Sequence, residues 1–213
     1  MTPPRIVGAR HWQSVAAALG AGHVVAVPGD GAYQLAVLPA ERASITALGR
    51  RGMGPVDGDP LRMVVGRRAQ AVELAPGWSK ETSILTVRMW PGPLVVLVPA
   101  AGDVVSLSMP ASRPLRALSR AVGPLVAMAL RRADGEPVRD PADVADRFSD
   151  DDVVCVLDGG TCRGPGPTVV DCTRSPPLVR HVGALPQSYV EAALMMGNRR
   201  RTWFKRRDAP ERR

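Results

Sequence analysis

The side chains in this 213-residue sequence best suited to chemistry are arginines. Arg50 and Arg51 are adjacent, Arg131 and Arg132 are adjacent, and Arg180 stands near the end of the chain's body. A guanidinium is planar, always charged and able to grip a phosphate with two hydrogen bonds. These groups could hold a nucleotide or RNA phosphate, although Arg131-Arg132 could equally be a solvated loop pair. Nucleophile patterns are poor by comparison. Cys155, Cys162 and Cys172 are odd in number and match neither a zinc spacing nor a C-x-x-C pair. They read as spectator thiols in a reducing cytoplasm. His11, His23 and His181 are scattered, and no G-x-S-x-G, Walker A or paired zinc-ligand motif is present. No residue is assigned as catalytic from these patterns, and no metal site is expected.

The formal net charge of +8 is unevenly placed. Residues 199–213 hold eight Arg or Lys against two acids, so the remaining chain is nearly neutral. The tail interleaves cations with Trp203 and Phe204. Cations meet phosphates and aromatic rings stack on unpaired bases, so RNA is a candidate partner. A solvated, disordered terminus is the alternative reading. The N-terminus lacks a signal-peptide pattern, and no apolar run approaches the roughly 20 residues that span a bilayer.

The elements that would position these groups follow from periodicity. Apolar spacing predicts helices over His11–Gly20, Ala40–Leu48, Pro114–Val122, Pro141–Phe148 and Ser188–Met196. Asp140 is expected to cap the fourth, with Pro141 in its first turn. Strands are predicted over His23–Val27, Leu61–Val65, Leu94–Val98, Val104–Met109, Leu125–Leu130, Val153–Leu157, Thr168–Asp171 and Leu178–Val182. The loop Gly49–Pro60 holds four Gly and two Pro. Irregular interleaving points to an α/β class with a twisted mixed sheet and flanking helices. The expected organisation is an N-terminal extension over 1–10, one domain over 11–197 and a basic, disordered tail over 198–213.

In order, several segments resemble the YrdC-like, threonylcarbamoyl-AMP synthase family. That family's P-T-D-T-V-Y-G-L segment is matched by Pro28-Gly29-Asp30-Gly31-Ala32-Tyr33-Gln34-Leu35. Its K-G-R is matched by Gly49-Arg50-Arg51, and its W-P-G-P-L-T turn by Trp90-Pro91-Gly92-Pro93-Leu94-Val95. V-R-V-P resembles Leu107-Ser108-Met109-Pro110, and D-G-G is Asp158-Gly159-Gly160. P-S-T-V-V-D resembles Gly166-Pro167-Thr168-Val169-Val170-Asp171. The closing R-x-G resembles Arg180 to Gly183 with one extra residue.

The resemblance implies a single YrdC-like domain making threonylcarbamoyl-AMP from threonine, bicarbonate and ATP, with Mg²⁺, for tRNA modification. It implies that Tyr33, Arg51, Ser108, Thr168 and Arg180 line one concavity, with Arg50, Arg131 and Arg132 as candidate anion contacts. Departures from the pattern fall where the family meets its small molecules. Gly29 and Gly31 replace two threonines, Gly49 a lysine, Ser108 an arginine and Pro167 a serine, and the S-A-N triplet is missing near Leu130. Impaired catalysis is therefore expected, with a non-catalytic nucleotide- or RNA-binding protein as the alternative.

Overall fold

Leu94–Ala100 is an apolar run of strand length, and it forms the longest strand, β5, in the computed structural model of this protein. The structure describes residues 2–49, 61–100 and 102–207, with side chains to residue 197. β5 pairs over most of its length with β6 (Asp103–Ser108) on one side and over Leu94–Leu97 with β9 (Thr168–Asp171) on the other. The remaining strands are β1 (Arg5–Gly8), β2 (Val25–Pro28), β3 (Tyr33–Val37), β4 (Arg62–Val64), β7 (Leu125–Ala129), β8 (Cys155–Asp158) and β10 (Leu178–His181). All ten described strands form one mixed sheet in the order β1-β8-β2-β3-β7-β4-β6-β5-β9-β10. The α/β expectation holds.

Seven α-helices are described: α1 (Trp12–Gly20), α2 (Arg42–Leu48), α3 (Arg68–Leu74), α4 (Lys80–Met89), α5 (Arg113–Val122), α6 (Pro141–Ala145) and α7 (Gln187–Arg207). Side chains alternate between faces along each strand, and the core divides accordingly. One face carries Leu35, Met128 and Val156, continuing through Met63 to Leu107, Val96 and Val170. Ile45 of α2, Val144 of α6 and Leu85 of α4 close over this face. The opposite face carries Ala36, Ala127, Val64 and Leu157, covered by Leu19 of α1 and by Leu115 and Leu118 of α5. Trp90 is 7% exposed, and its indole N–H donates to the Leu94 carbonyl at 2.8 Å, which ties the W-P-G-P turn to β5.

Four elements escape sequence periodicity. β1 is a four-residue edge strand with one buried residue, so it shows no alternation, yet it pairs in parallel with β8. The segment read as an N-terminal extension is thereby part of the sheet. β3 follows its turn directly and is buried throughout, which also hides alternation. α3 is a short helix with a single buried residue, Ala71, so it presents no apolar stripe. α4 carries the β-branched residues Thr82, Ile84, Thr86 and Val87, which weaken a helical signal, although Ser79 caps it by accepting from the Thr82 N–H at 3.0 Å. Two expectations at helix ends are also corrected. Asp140 sits at the N-cap of α6 without a capping bond; its carboxylate instead accepts from the Thr161 hydroxyl. α7 runs to Arg207, well into the stretch expected to be disordered. Among the described residues no helix is long and apolar enough to cross a membrane.

Candidate functional site

A cavity of about 580 Å³ opens where the α1/α5 face of the sheet passes beyond those helices. Its arginines come from separate elements: Arg62 from β4, Arg131 just after β7, Arg139 from the approach to α6, and Arg180 from β10, where His181 also lines it. Arg131 is held by a tight turn. It bridges to Pro137, and its guanidinium donates to the Gly135 carbonyl at 3.0 Å. The register of β10 on β9 slips between Val179 and His181. A bulge there lets consecutive residues reach the same side, and both Arg180 and His181 line the cavity.

One acid faces these cations. Asp30 accepts from the Ala111 N–H at 3.2 Å, and burial pushes its carboxyl above the ordinary range. That N–H, together with Arg62 and Arg116, acts in the opposite sense without overcoming the desolvation. Beside it, the Gly164–Pro167 loop crosses Gly31. A Cβ on Gly31 would fall 2.6 Å from the Gly166 nitrogen, and Gly31 has a φ of +85°, so both space and backbone demand glycine. Arg139 holds this arrangement. Its Nη1 donates to the carbonyls of Gly31 at 3.1 Å, Gly164 at 3.0 Å and Cys162 at 3.4 Å.

Residues 17–182 match the profile of the Sua5–YciO–YrdC family, described as telomere recombination. The chain belongs to that family. It is 28% identical over 186 residues to a threonylcarbamoyl-AMP synthase of Pyrococcus abyssi, covering 81% of this chain and 54% of that protein. It is 26% identical over 192 residues to the Bacillus subtilis threonylcarbamoyl-AMP synthase, covering 84% and 55%. The chain thus spans about half the length of the curated relatives it matches. A crystal structure of P. abyssi Sua5 complexed with L-threonine superposes with a TM-score of 0.76 at 24% identity, over 90% of this chain and 61% of that one.

Within this Sua5–YciO–YrdC domain, the residues expected in one concavity separate. Arg131 and Arg180 line the cavity. Arg132 turns away to an exposed ion pair with Asp143. Tyr33 is fully buried; its hydroxyl donates to the Gly160 carbonyl at 3.1 Å and accepts from the Gly159 N–H at 3.2 Å. Those bonds tie β3 to the D-G-G turn, and burial pushes the phenol up to about 12. Thr168 is fully buried and faces the opposite side of β9 from the cavity-lining Val169. Its hydroxyl donates to the Leu185 carbonyl at 2.7 Å and accepts from the N–H groups of Gly183 and Leu185. Ser108 is buried at the end of β6, and its hydroxyl has no hydrogen-bond partner among the described residues. Arg50 and Arg51 lie outside the described residues.

Sequence reasoning missed Arg62, Arg139, His181 and Gln34. Arg62 is an arginine in a strand whose other residues are apolar, a signal that was available. Gln34 stands where the family pattern has glycine, a departure visible in the sequence, whereas Arg139 had no signal, because its direction depends on which segments cross above it.

Proposed function

We propose that this chain is a divergent relative of L-threonylcarbamoyladenylate synthase that keeps an anion-binding cavity but forms the adenylate poorly. The reading is supported by the names of its curated relatives and by the cation-rich lining of the cavity. The single observation that carries the impairment is the passage of the Gly164–Pro167 loop over Gly31. It excludes a hydroxyl-bearing side chain where the family pattern has threonine. Attack on an α-phosphate builds charge that pre-aimed donors must meet, and losing one donor costs about 3 to 4 kcal/mol in the transition state.

Within this reading the ligands are a nucleotide such as ATP, and threonine, in a cytoplasmic setting that serves tRNA modification. Arg131 and Arg180 would take the phosphates, with Arg51 as a further contact. Among the described residues no group of three or more His, Cys, Asp or Glu could hold a metal ion. Asp30 is the one carboxylate of the described cavity lining. Mg²⁺ would fit only by arriving with ATP, held mainly by phosphates and water.

A second reading rests on the same cations: a non-catalytic protein that binds a nucleotide or RNA phosphate. ATP-dependent pyrophosphate release with threonine and bicarbonate, run beside an intact relative, separates the two. Weak release is expected on the first reading and none on the second. Turnover equal to the relative's, abolished by Arg51→Ala, would overturn the impairment.

A further inference from the structure

Gln34 departs from the family pattern as sharply as the two glycines before it, and in the opposite sense. The pattern has threonine after the opening proline and glycine after the tyrosine; this chain has Gly29 and Gln34. The antiparallel pairing of β2 with β3 sets Pro28 opposite Tyr33 and Val27 opposite Gln34, so positions 29 and 34 meet at one end of the hairpin. A Cβ on Gly29 would fall inside the Gln34 amide, 2.6 Å from its Cδ and 2.8 Å from its Cγ. The glutamine therefore fills the room that a side chain at position 29 would need. A side chain at 29 and the one present at 34 would compete for the same space.

The side chain at 34 is aimed into the cavity. Gln34 is 3% exposed, lines the cavity, and its amide makes no hydrogen bond with a described residue. The amide is not among the sealed polar atoms left without a partner, so it reaches the open space of the cavity, where a ligand or water can pair with it. Around it stand Arg62, Arg131, Arg139 and Arg180.

We propose that Gln34 is a specificity-determining contact of this cavity, reading the uncharged hydrogen-bonding part of a small phosphate-bearing ligand. The inference rests on the cavity binding an anion, as argued above. A carboxamide offers a donor and an acceptor side by side, the arrangement that pairs with the edge of adenine. Guanidinium groups supply affinity for the phosphate without distinguishing one phosphate ester from another. The neutral amide supplies that distinction, and it does so without repelling the charge beside it. The cavity volume is within the range of small-molecule sites.

The test is calorimetric titration of the full chain with two probes, AMP and inorganic phosphate. Gln34→Ala is expected to weaken AMP about tenfold, the equivalent of one hydrogen bond, while phosphate affinity stays unchanged. Gln34→Glu keeps the shape but places a negative charge beside the anion, and is expected to weaken both probes. In the shared space, Gly29→Thr alone should lower the melting temperature. The double variant Gly29→Thr/Gln34→Gly should recover it, because the crowding is removed. Equal AMP affinity in wild type and Gln34→Ala would overturn the proposal, and so would equal weakening of AMP and phosphate. Gly29→Thr melting as the wild type does would refute the shared space. Failure of the wild type to bind either probe would instead remove the anion-binding reading, and the role of Gln34 with it.

Discussion

Thr168→Val tests whether this threonine serves the fold or the ligand. The substitution keeps the branched shape and removes a hydroxyl that makes three hydrogen bonds, to the Leu185 carbonyl at 2.7 Å and from the N–H groups of Gly183 at 2.9 Å and Leu185 at 3.0 Å. Thr168 is fully buried, so water cannot readily replace the hydroxyl. An orphaned group costs about 1 to 3 kcal/mol when fully buried, but Gly183 and Leu185 are only partly buried and the three bonds are coupled through one atom, so the sum is set at no more than roughly 3 kcal/mol. At about 2 to 4 °C per kcal/mol for a chain of this size, the melting temperature should fall by no more than roughly 6 to 12 °C. The assay is thermal unfolding by circular dichroism, paired with titration of inorganic phosphate. Phosphate affinity below the melting transition should be unchanged, because Thr168 faces away from the cavity. A variant that melts as the wild type does but binds phosphate more weakly would refute the reasoning and return Thr168 to the ligand.

Asp30→Asn should raise the urea midpoint at neutral pH. Burial raises the folded carboxyl above its unfolded value, so its contribution is fully present below the ordinary carboxylate range and is lost as pH rises through the raised value. The difference from wild type should vanish on acidification; a difference that grows on acidification would contradict the sign. Burial pushes the Cys172 thiol up to about 11 and raises those of Cys155 and Cys162. Iodoacetamide at neutral pH should therefore label all three slowly in the native protein and quickly in denaturant, and fast native labelling would show a thiol at the surface. Deleting residues 199–213 should weaken binding to single-stranded RNA and flatten its salt slope by about 0.7 for each phosphate that the tail no longer neutralises. Equal affinities and slopes across a salt series would eliminate the tail as an RNA-binding element.

The sequence by itself was sufficient for whatever is decided between near neighbours. Short apolar runs of strand length are visible in local composition, and β5, β7 and β9 lie where the runs of Leu94–Val98, Leu125–Leu130 and Thr168–Asp171 place them. Turn residues act locally too, so Trp90-Pro91-Gly92-Pro93 and Asp158-Gly159-Gly160 were legible as turns and, in order, as a family pattern. The tertiary structure decided which side chains meet. Tyr33 and Thr168 belong to motifs that suggested a ligand, but their hydroxyls are taken by backbone groups of Gly159, Gly160, Gly183 and Leu185. The lining of the cavity depends on the strand order β7-β4-β6-β5-β9-β10 and on the face each residue takes. A shift of one residue reverses that face, as the bulge beside Arg180 illustrates. Gly29 and Gln34 show the same division within one hairpin: their types are plain in the sequence, but only the pairing of β2 with β3 brings one into the space left by the other.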